Sequence, residues 1–290
     1  MNHVQDNAEE CIRNAIVNLK EGKYEYELDN GEYIRVRITI DKIKREATID
    51  FSGTAPKNPF NYNAPMAVCH AVILYVFRTL VGNNIPLNEG CFKPLNIIIP
   101  NNSMINAKYP SAVIAGNTEV SQLTCNALFG ALGVIAGSQA TMNNFIWGND
   151  KIQNYETICG GTGAGPNFHG TSAVQTHMTN TRSTDPEILE ARFPVRLEEY
   201  SIRKNSGGKG MFNGGDGVTR KLRFLEPMTV TTLCSHRKVQ PFGLNGGEPG
   251  QCGKEWLEKK DGKFIRLEGN DSCEVKVNDL FVMETPGGGG

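Results

Sequence analysis

Apolar residues open the chain at helical spacing: Ala8, Ile12, Ala15, Ile16 and Leu19 recur every three or four positions, and Gly22 follows where a C-cap would stand. An amphipathic helix is predicted there. The period then falls to two, with Ile34, Val36, Ile38 and Ile40 alternating against Arg35, Arg37 and Thr39 after the turn string Asp29-Asn30-Gly31. Tyr24 to Leu28 and Ile34 to Ile40 therefore form a hairpin with one wet face, and Ala47 to Phe51 adds a third strand before the loop Ser52 to Ala64. Pro65 to Leu80 is apolar on all sides apart from His70 and Arg78, which predicts a buried helix with His70 as a core histidine. It is shorter than the ~20 residues of a bilayer span. After a strand over Leu95 to Pro100, a second core helix is expected, capped by Asn117 or Thr118, with Val120, Leu123, Ala127, Leu128, Leu132 and Ile135 as its buried stripe.

From about Trp147 the pattern changes. Short β-like runs at Leu222 to Phe224, Val230 to Leu233, Cys273 to Val277 and Leu280 to Glu284 are separated by NSGGKGMFNGGDG, GLNGGEPGQCG and PGGGG. The fold class expected is α+β: a β-rich mixed architecture with two buried helices in residues 1–146 and a glycine-rich β-sandwich or barrel-like region in residues 147–290. The closing glycines read as a loop that continues.

The stretch from Tyr155 to Pro194 carries the candidate chemistry. Gly160, Gly161, Gly163 and Gly165 allow either a tight corner or a ligand-facing loop, and Pro166 at the sixth position rules out a dinucleotide fingerprint. Ser172 to Thr181 reads as an extended segment with Gln175, His177 and Thr179 on one face. Thr184-x-x-Glu187 is a capping box, with Pro186 in the first turn, for a short helix from about Asp185 to Arg192. Arg182, just ahead of it, can hold a carboxylate or remain solvated; His177 can act on protons or be a satisfied structural residue. Glu119 lies at the start of the second core helix, where the helix dipole favours a carboxylate, and it is also a candidate active-site acid.

With 290 residues and 39% hydrophobic content the chain buries a substantial core. A net charge of −1 without a basic run argues against nucleic acid as the main partner. Eight cysteines without a CxxC pair match no zinc or disulfide spacing, so reduced, mostly buried thiols are expected. The N-terminal residues have early acids and no apolar core of a signal peptide, which predicts a cytoplasmic location.

Eight strings, IDFSGT, GNTEVSQ, SQATMNN, YETICGGTGAGP, HMTNTRSTDPEILEARFPV, NSGGKGMFNGGDGVTR, PFGLNGGEPG and TPGGGG, occur in order across nearly the whole chain. Together they resemble the hydantoinase B/oxoprolinase family. The resemblance implies a part in opening a lactam or hydantoin ring, 5-oxoproline to glutamate or the N-methylhydantoin type, with ATP supplied through an actin-like ATPase A component. Phosphorylation of the ring oxygen makes an otherwise poor electrophile attackable. The nearest alternative chemistry is that of the related acetone and acetophenone carboxylases; another is a non-catalytic assembly role.

Relative to that family the chain resembles a C-terminal portion, so an N-terminal half of the B component and an oligomer are expected partners, and any divalent metal is expected in that other half. Where the family has His-x-His, this chain has Gln175 and His177, so no two-histidine metal site is carried over. Cys159 stands where glycine is common and is not read as a nucleophile. The family's Ser-acid-Arg-Arg pattern is here Cys234-Ser235-His236-Arg237. The catalytic candidates are His177 as proton shuttle or water-positioning group, Arg182 as carboxylate binder and Glu119 as base.

Overall fold

The structure, a computed structural model, describes residues 2–82 and 84–290. The chain divides into two compact units, Met1–Val134 and Ile135–Gly290. Among the described residues, no helix is long and apolar enough to cross a membrane.

In the first unit, helix α1 (Asn2–Val17) is followed by strands β1 (Gly22–Glu27), β2 (Tyr33–Asp41) and β3 (Glu46–Asp50), then α2 (Met66–Thr79), β4 (Leu95–Ile98) and α3 (Ser121–Leu132). The sheet order is β1-β2-β3-β4. The first two pairings are antiparallel, as the hairpin pattern requires, and β3 with β4 is parallel because the chain crosses over through α2. The alternation of β2 translates directly into burial, with Ile34, Val36 and Ile38 inward.

Helix α3 packs on β1 and β2 and also on α2, so nearly its whole circumference is enclosed and the expected single stripe is too narrow. Close approach is possible because Gly22 lies against the Ala131 carbonyl and Gly130 against the Tyr24 ring; a Cβ at Gly22 would come 1.9 Å from that oxygen. Polar residues on α3 turn to partners: Asn126 Nδ2 donates to the Tyr26 hydroxyl at 3.1 Å, and Thr124 Oγ1 to the Val120 carbonyl at 2.7 Å. Helix α2 instead buries one stripe, Cys69, Val72, Ile73, Val76 and Phe77, and its His70 is half-buried with its ring 5.9 Å from that of Phe92.

The expected cap at Asn117 or Thr118 does not form. A π-helical turn, Gly116–Val120, leads into α3, and the Ser121 hydroxyl donates back to the Asn117 carbonyl at 2.6 Å.

The second unit contains two open antiparallel sheets, β11-β10-β13-β8-β7 and β12-β9-β5-β6. Their strands are β5 (Asn144–Gly148), β6 (Gln153–Thr157), β7 (Val195–Ile202), β8 (Val218–Phe224), β9 (Met228–Leu233), β10 (Lys254–Glu258), β11 (Phe264–Leu267), β12 (Asn270–Val275) and β13 (Leu280–Glu284). Phe145 on β5 stacks on Phe281 of β13 with centroids 4.8 Å apart, and Trp147 meets Phe224 of β8 edge-on at 5.9 Å. Side chains from both sheets share one core. The arrangement is a sandwich rather than a closed barrel.

Three local expectations differ from what is found. Ser172 to Thr181 is not a strand; only Val174 bridges to Gly160, and His177 takes a left-handed backbone with φ of 49°. Helix α4 (Pro186–Arg192) is capped by Asp185, whose Oδ1 accepts from the Glu187 N–H at 3.0 Å, rather than by Thr184. Asp185 prevails because it immediately precedes Pro186, the first helical residue.

The third concerns the glycines. Gly161, Gly163, Gly215 and Gly288 do not have positive φ; their segments run past one another with backbone against backbone. Gly288 N donates to the Gly215 carbonyl at 2.9 Å, Gly215 N to Thr162, Gly208 N to Gly288 and Gly289 N to Gly137. A Cβ on Gly288 would lie 1.9 Å from the Thr162 oxygen. The terminal run Pro286–Gly290 has no regular secondary structure and is buried within this lattice.

Candidate functional site

The loop that carries His177 and Arg182 lies in the second unit and is held by side chains on both flanks. Ala173 N donates to the Asp216 carbonyl at 3.0 Å, and Val174 exchanges two backbone hydrogen bonds with Gly160. Gln175 Nε2 donates to the Thr157 carbonyl at 3.2 Å and to its hydroxyl at 3.1 Å; Thr181 shares a hydrogen bond with the same hydroxyl. Ser183 Oγ meets the Tyr200 hydroxyl at 3.1 Å. With no strand ladder in this segment, these contacts fix its backbone.

His177 turns inward. Its Nε2 lies 2.9 Å from Ser138 Oγ, which also accepts the Ala140 N–H at 3.1 Å, and burial pushes the imidazole down to about 4. The ring is therefore neutral near pH 7, able to accept a proton or to donate from one nitrogen, but not to act as a resident cation. Arg182, between the anchored Thr181 and Ser183, is exposed. Its guanidinium faces solvent, the setting of a group that meets an incoming anion or stays hydrated.

Glu119 belongs to the first unit, in the π-helical turn before α3, and is completely buried. His177 and Arg182 thus share one loop, whereas Glu119 is set in a separate core.

Tyr200, which the loop meets through Ser183, packs in turn against a buried polar group that sequence reasoning missed. Arg220 on β8 and Glu156 on β6 form an ion pair of 2.6 Å, with both side chains almost fully enclosed, and the guanidinium carbon sits 4.9 Å over the Tyr200 ring. Desolvation pushes the Glu156 carboxyl up, against the attraction of Arg220. The Tyr200 hydroxyl, 3.2 Å from Cys159 Sγ, is pushed up to about 12 by burial, and burial also raises the Cys159 thiol. A thiol so disposed is a poor nucleophile. The signal for Arg220 was the alternation of VTRKLRF, which puts an arginine on the same inward face as Val218, Leu222 and Phe224.

Arg237, in the variant Cys-Ser-His-Arg string, has a buried partner eighteen residues on: its guanidinium pairs with Glu255 and donates to Asn143 Oδ1 at 2.8 Å. All eight cysteines are free thiols, five of them buried. Among the described residues, no group of three His, Cys, Asp or Glu is placed to hold a metal ion.

The hydantoinase B/oxoprolinase family model matches residues 1–290. A 5-oxoprolinase of Dictyostelium discoideum is 42% identical over 300 residues, covering 100% of this chain and 24% of the relative. The chain thus spans about a quarter of the length of that relative. Among solved structures, the ATP-dependent caprolactamase from Pseudomonas jessenii superposes with a TM-score of 0.83 at 20% identity, covering 98% of this chain and 54% of the other. A nucleotide-free acetone carboxylase also gives 0.83, at 17% identity, covering 98% and 47%. At such identities the likeness is one of fold. The uninterrupted family match, with a relative sharing four residues in ten, leads to one assignment: the chain belongs to the hydantoinase B/oxoprolinase family.

Proposed function

We propose that this chain forms part of an ATP-dependent cyclic amidohydrolase that opens a lactam or hydantoin ring, 5-oxoproline or an N-methylhydantoin, together with an ATPase A component and the remaining part of the B component. The observation that carries this reading is the family match over residues 1–290, joined to 42% identity with a 5-oxoprolinase. An unstrained lactam carbon resists attack by water; ATP supplied through the partner turns its oxygen into a phosphate ester, so that water adds to the carbon, the C–N bond breaks as the ring nitrogen takes a proton, and a second water releases phosphate from the acyl phosphate that remains. In this scheme neutral His177 takes a proton from attacking water or passes one to the departing ring nitrogen. Arg182 binds the substrate carboxylate through its planar fork. Glu119 is the third candidate, as base.

The test is ATP-dependent 5-oxoproline hydrolysis by the chain combined with an N-terminal half and an A component. His177→Ala and Arg182→Ala each lower kcat/KM under the proposed roles. Full activity in both variants would remove those roles while leaving the family reading intact.

A second reading, a non-catalytic assembly portion, has a specific observation in its favour. The Gly160–Gly165 segment is covered by the backbones of Ala136, Gly215 and Gly288, which occupy the space that a ligand-facing loop would leave open. Size-exclusion chromatography with a separately expressed N-terminal half discriminates: a scaffold binds it, yet its His177 and Arg182 variants leave turnover unchanged.

A further inference from the structure

Two adjoining clefts open where the β10–β11 hairpin, the β12–β13 turn, the edge strand β7 and its neighbour β8 meet. The larger, about 550 Å³, is lined by Lys259, Lys260, Lys263 and Lys276, with Ile265 and Val277 as an apolar wall. The smaller, about 390 Å³, shares Lys259 and Lys260 and adds Arg196, Arg223 and the acid Glu258. Volumes of this order are those of small-molecule sites.

Asp279 organises the larger cleft from below. Its carboxylate, 2% exposed, accepts from Lys259 Nζ at 2.8 Å, Lys276 N at 2.8 Å and Lys260 N at 3.1 Å. Burial works to push its carboxyl up, but those donors outweigh it and hold it below the usual range. One ionised acid thereby fixes both turns and neutralises Lys259.

The hairpin turn is closed as well, by Lys259 N to the Lys263 carbonyl at 2.8 Å and Lys263 N to Asp261 Oδ1 at 3.0 Å. Among the described residues, Lys260, Lys263 and Lys276 carry no ion pair, so three ammonium groups stand over one remaining lining acid, Asp261. In the adjoining cleft, Arg196 and Arg223 share a single carboxylate oxygen of Glu198, at 2.5 and 2.6 Å. Across the joined clefts these basic side chains still outnumber the acids Asp261, Asp279, Glu258 and Glu198, and this surplus is local, because the chain as a whole carries −1. A rigid turn that holds unpaired ammonium groups over a pocket suits several closely spaced negative charges, and the wall of Ile265 and Val277 offers a surface for a flat apolar group.

We infer that the joined clefts bind a phosphorylated small molecule of the nucleoside di- or polyphosphate class, with its phosphates on Lys260, Lys263 and Lys276 and its base against Ile265 and Val277. The site is independent of the loop of His177 and does not rest on the amidohydrolase reading.

Isothermal titration of the full chain with ADP and with pyrophosphate tests it. Both bind at low salt and weaken as salt rises. The triple variant Lys260→Gln, Lys263→Gln, Lys276→Gln loses at least about tenfold in affinity, a change of about 1.4 kcal/mol, with an unchanged melting temperature. Tighter binding of ADP than of pyrophosphate assigns the base to the apolar wall; equal binding confines recognition to the phosphates. Should the triple variant fail to fold, the single exposed change Lys260→Glu reports the same loss. Absence of binding by either probe, or equal affinity in wild type and variants, overturns the inference. Binding of a polyglutamate peptide with no binding of either phosphate probe also overturns it, in favour of an acidic protein segment.

Discussion

At pH 7 the His177 ring is neutral, because burial pushes it down to about 4 from its ordinary 6.5. Below pH 6.5 the unfolded chain takes up a proton that the folded ring refuses. The contribution to stability is therefore complete above about pH 6.5 and drains away as the pH falls toward 4, where the folded ring protonates. The ring is half-buried, so the loss is about 1–3 kcal/mol. Urea unfolding at neutral pH and near pH 4 checks this: His177→Gln, which removes the titration but keeps a polar group near Ser138, loses less stability over that interval than wild type. Equal losses would sink the assignment. Arg220 and Glu156 give a second residue-scale prediction. Removing one member strands the other in the core, so Glu156→Gln or Arg220→Met destabilises by about 3–5 kcal/mol. The double variant, with no unpaired charge left, costs less than the sum, as a double-mutant cycle in urea measures.

Elements built from side-chain periodicity were legible in the sequence. The alternation of Ile34, Val36 and Ile38 gave β2, and the apolar runs gave α2 and α3. Periodicity failed where the backbone itself sets the structure. The strings NSGGKG and NGGDG read as turns because glycine offers no side chain to place, yet Gly208, Gly215 and Gly288 are glycine for close approach between extended segments. The π-helical turn was hidden for a related reason: GNTEVS satisfies a capping pattern, and the constraint is the 2.6 Å approach of a Gly116 Cβ to the Asn63 carbonyl. The lattice reading predicts that Gly288→Ala, with its Cβ forced toward Thr162, destabilises by about 1–3 kcal/mol or prevents folding. Gly82→Ala meets open space at ordinary φ and changes stability by less than about 1 kcal/mol, in the favourable direction. Thermal melts of both variants decide; equal effects would mean that backbone contact is not why the glycines are there.

At the scale of the molecule, the family was written in colinear strings along the whole chain, whereas the candidate site was written only in fragments. His177 and Arg182 could be picked out by residue type, but Ser138 and Tyr200 reach the loop from segments far apart in sequence, and only the fold brings them to it, with the Glu156–Arg220 pair against the Tyr200 ring. Their arrangement separates the two proposed roles. Arg182 is exposed between anchored neighbours, so its deletion removes a charge without loosening the loop; His177 is braced against Ser138, so its deletion acts on proton transfer. Under the proposed function, Arg182→Ala assayed with the partner components therefore raises KM for 5-oxoproline with kcat nearly unchanged, the signature of uniform binding lost. His177→Ala lowers kcat by about 10²–10⁴, the range of a positioned acid–base group, with little change in KM. Steady-state kinetics at saturating ATP distinguish the two. A rise in KM alone for His177→Ala would reassign the imidazole to substrate binding, and unaltered constants in both variants would leave the loop a structural segment tied to Ser138 and Tyr200.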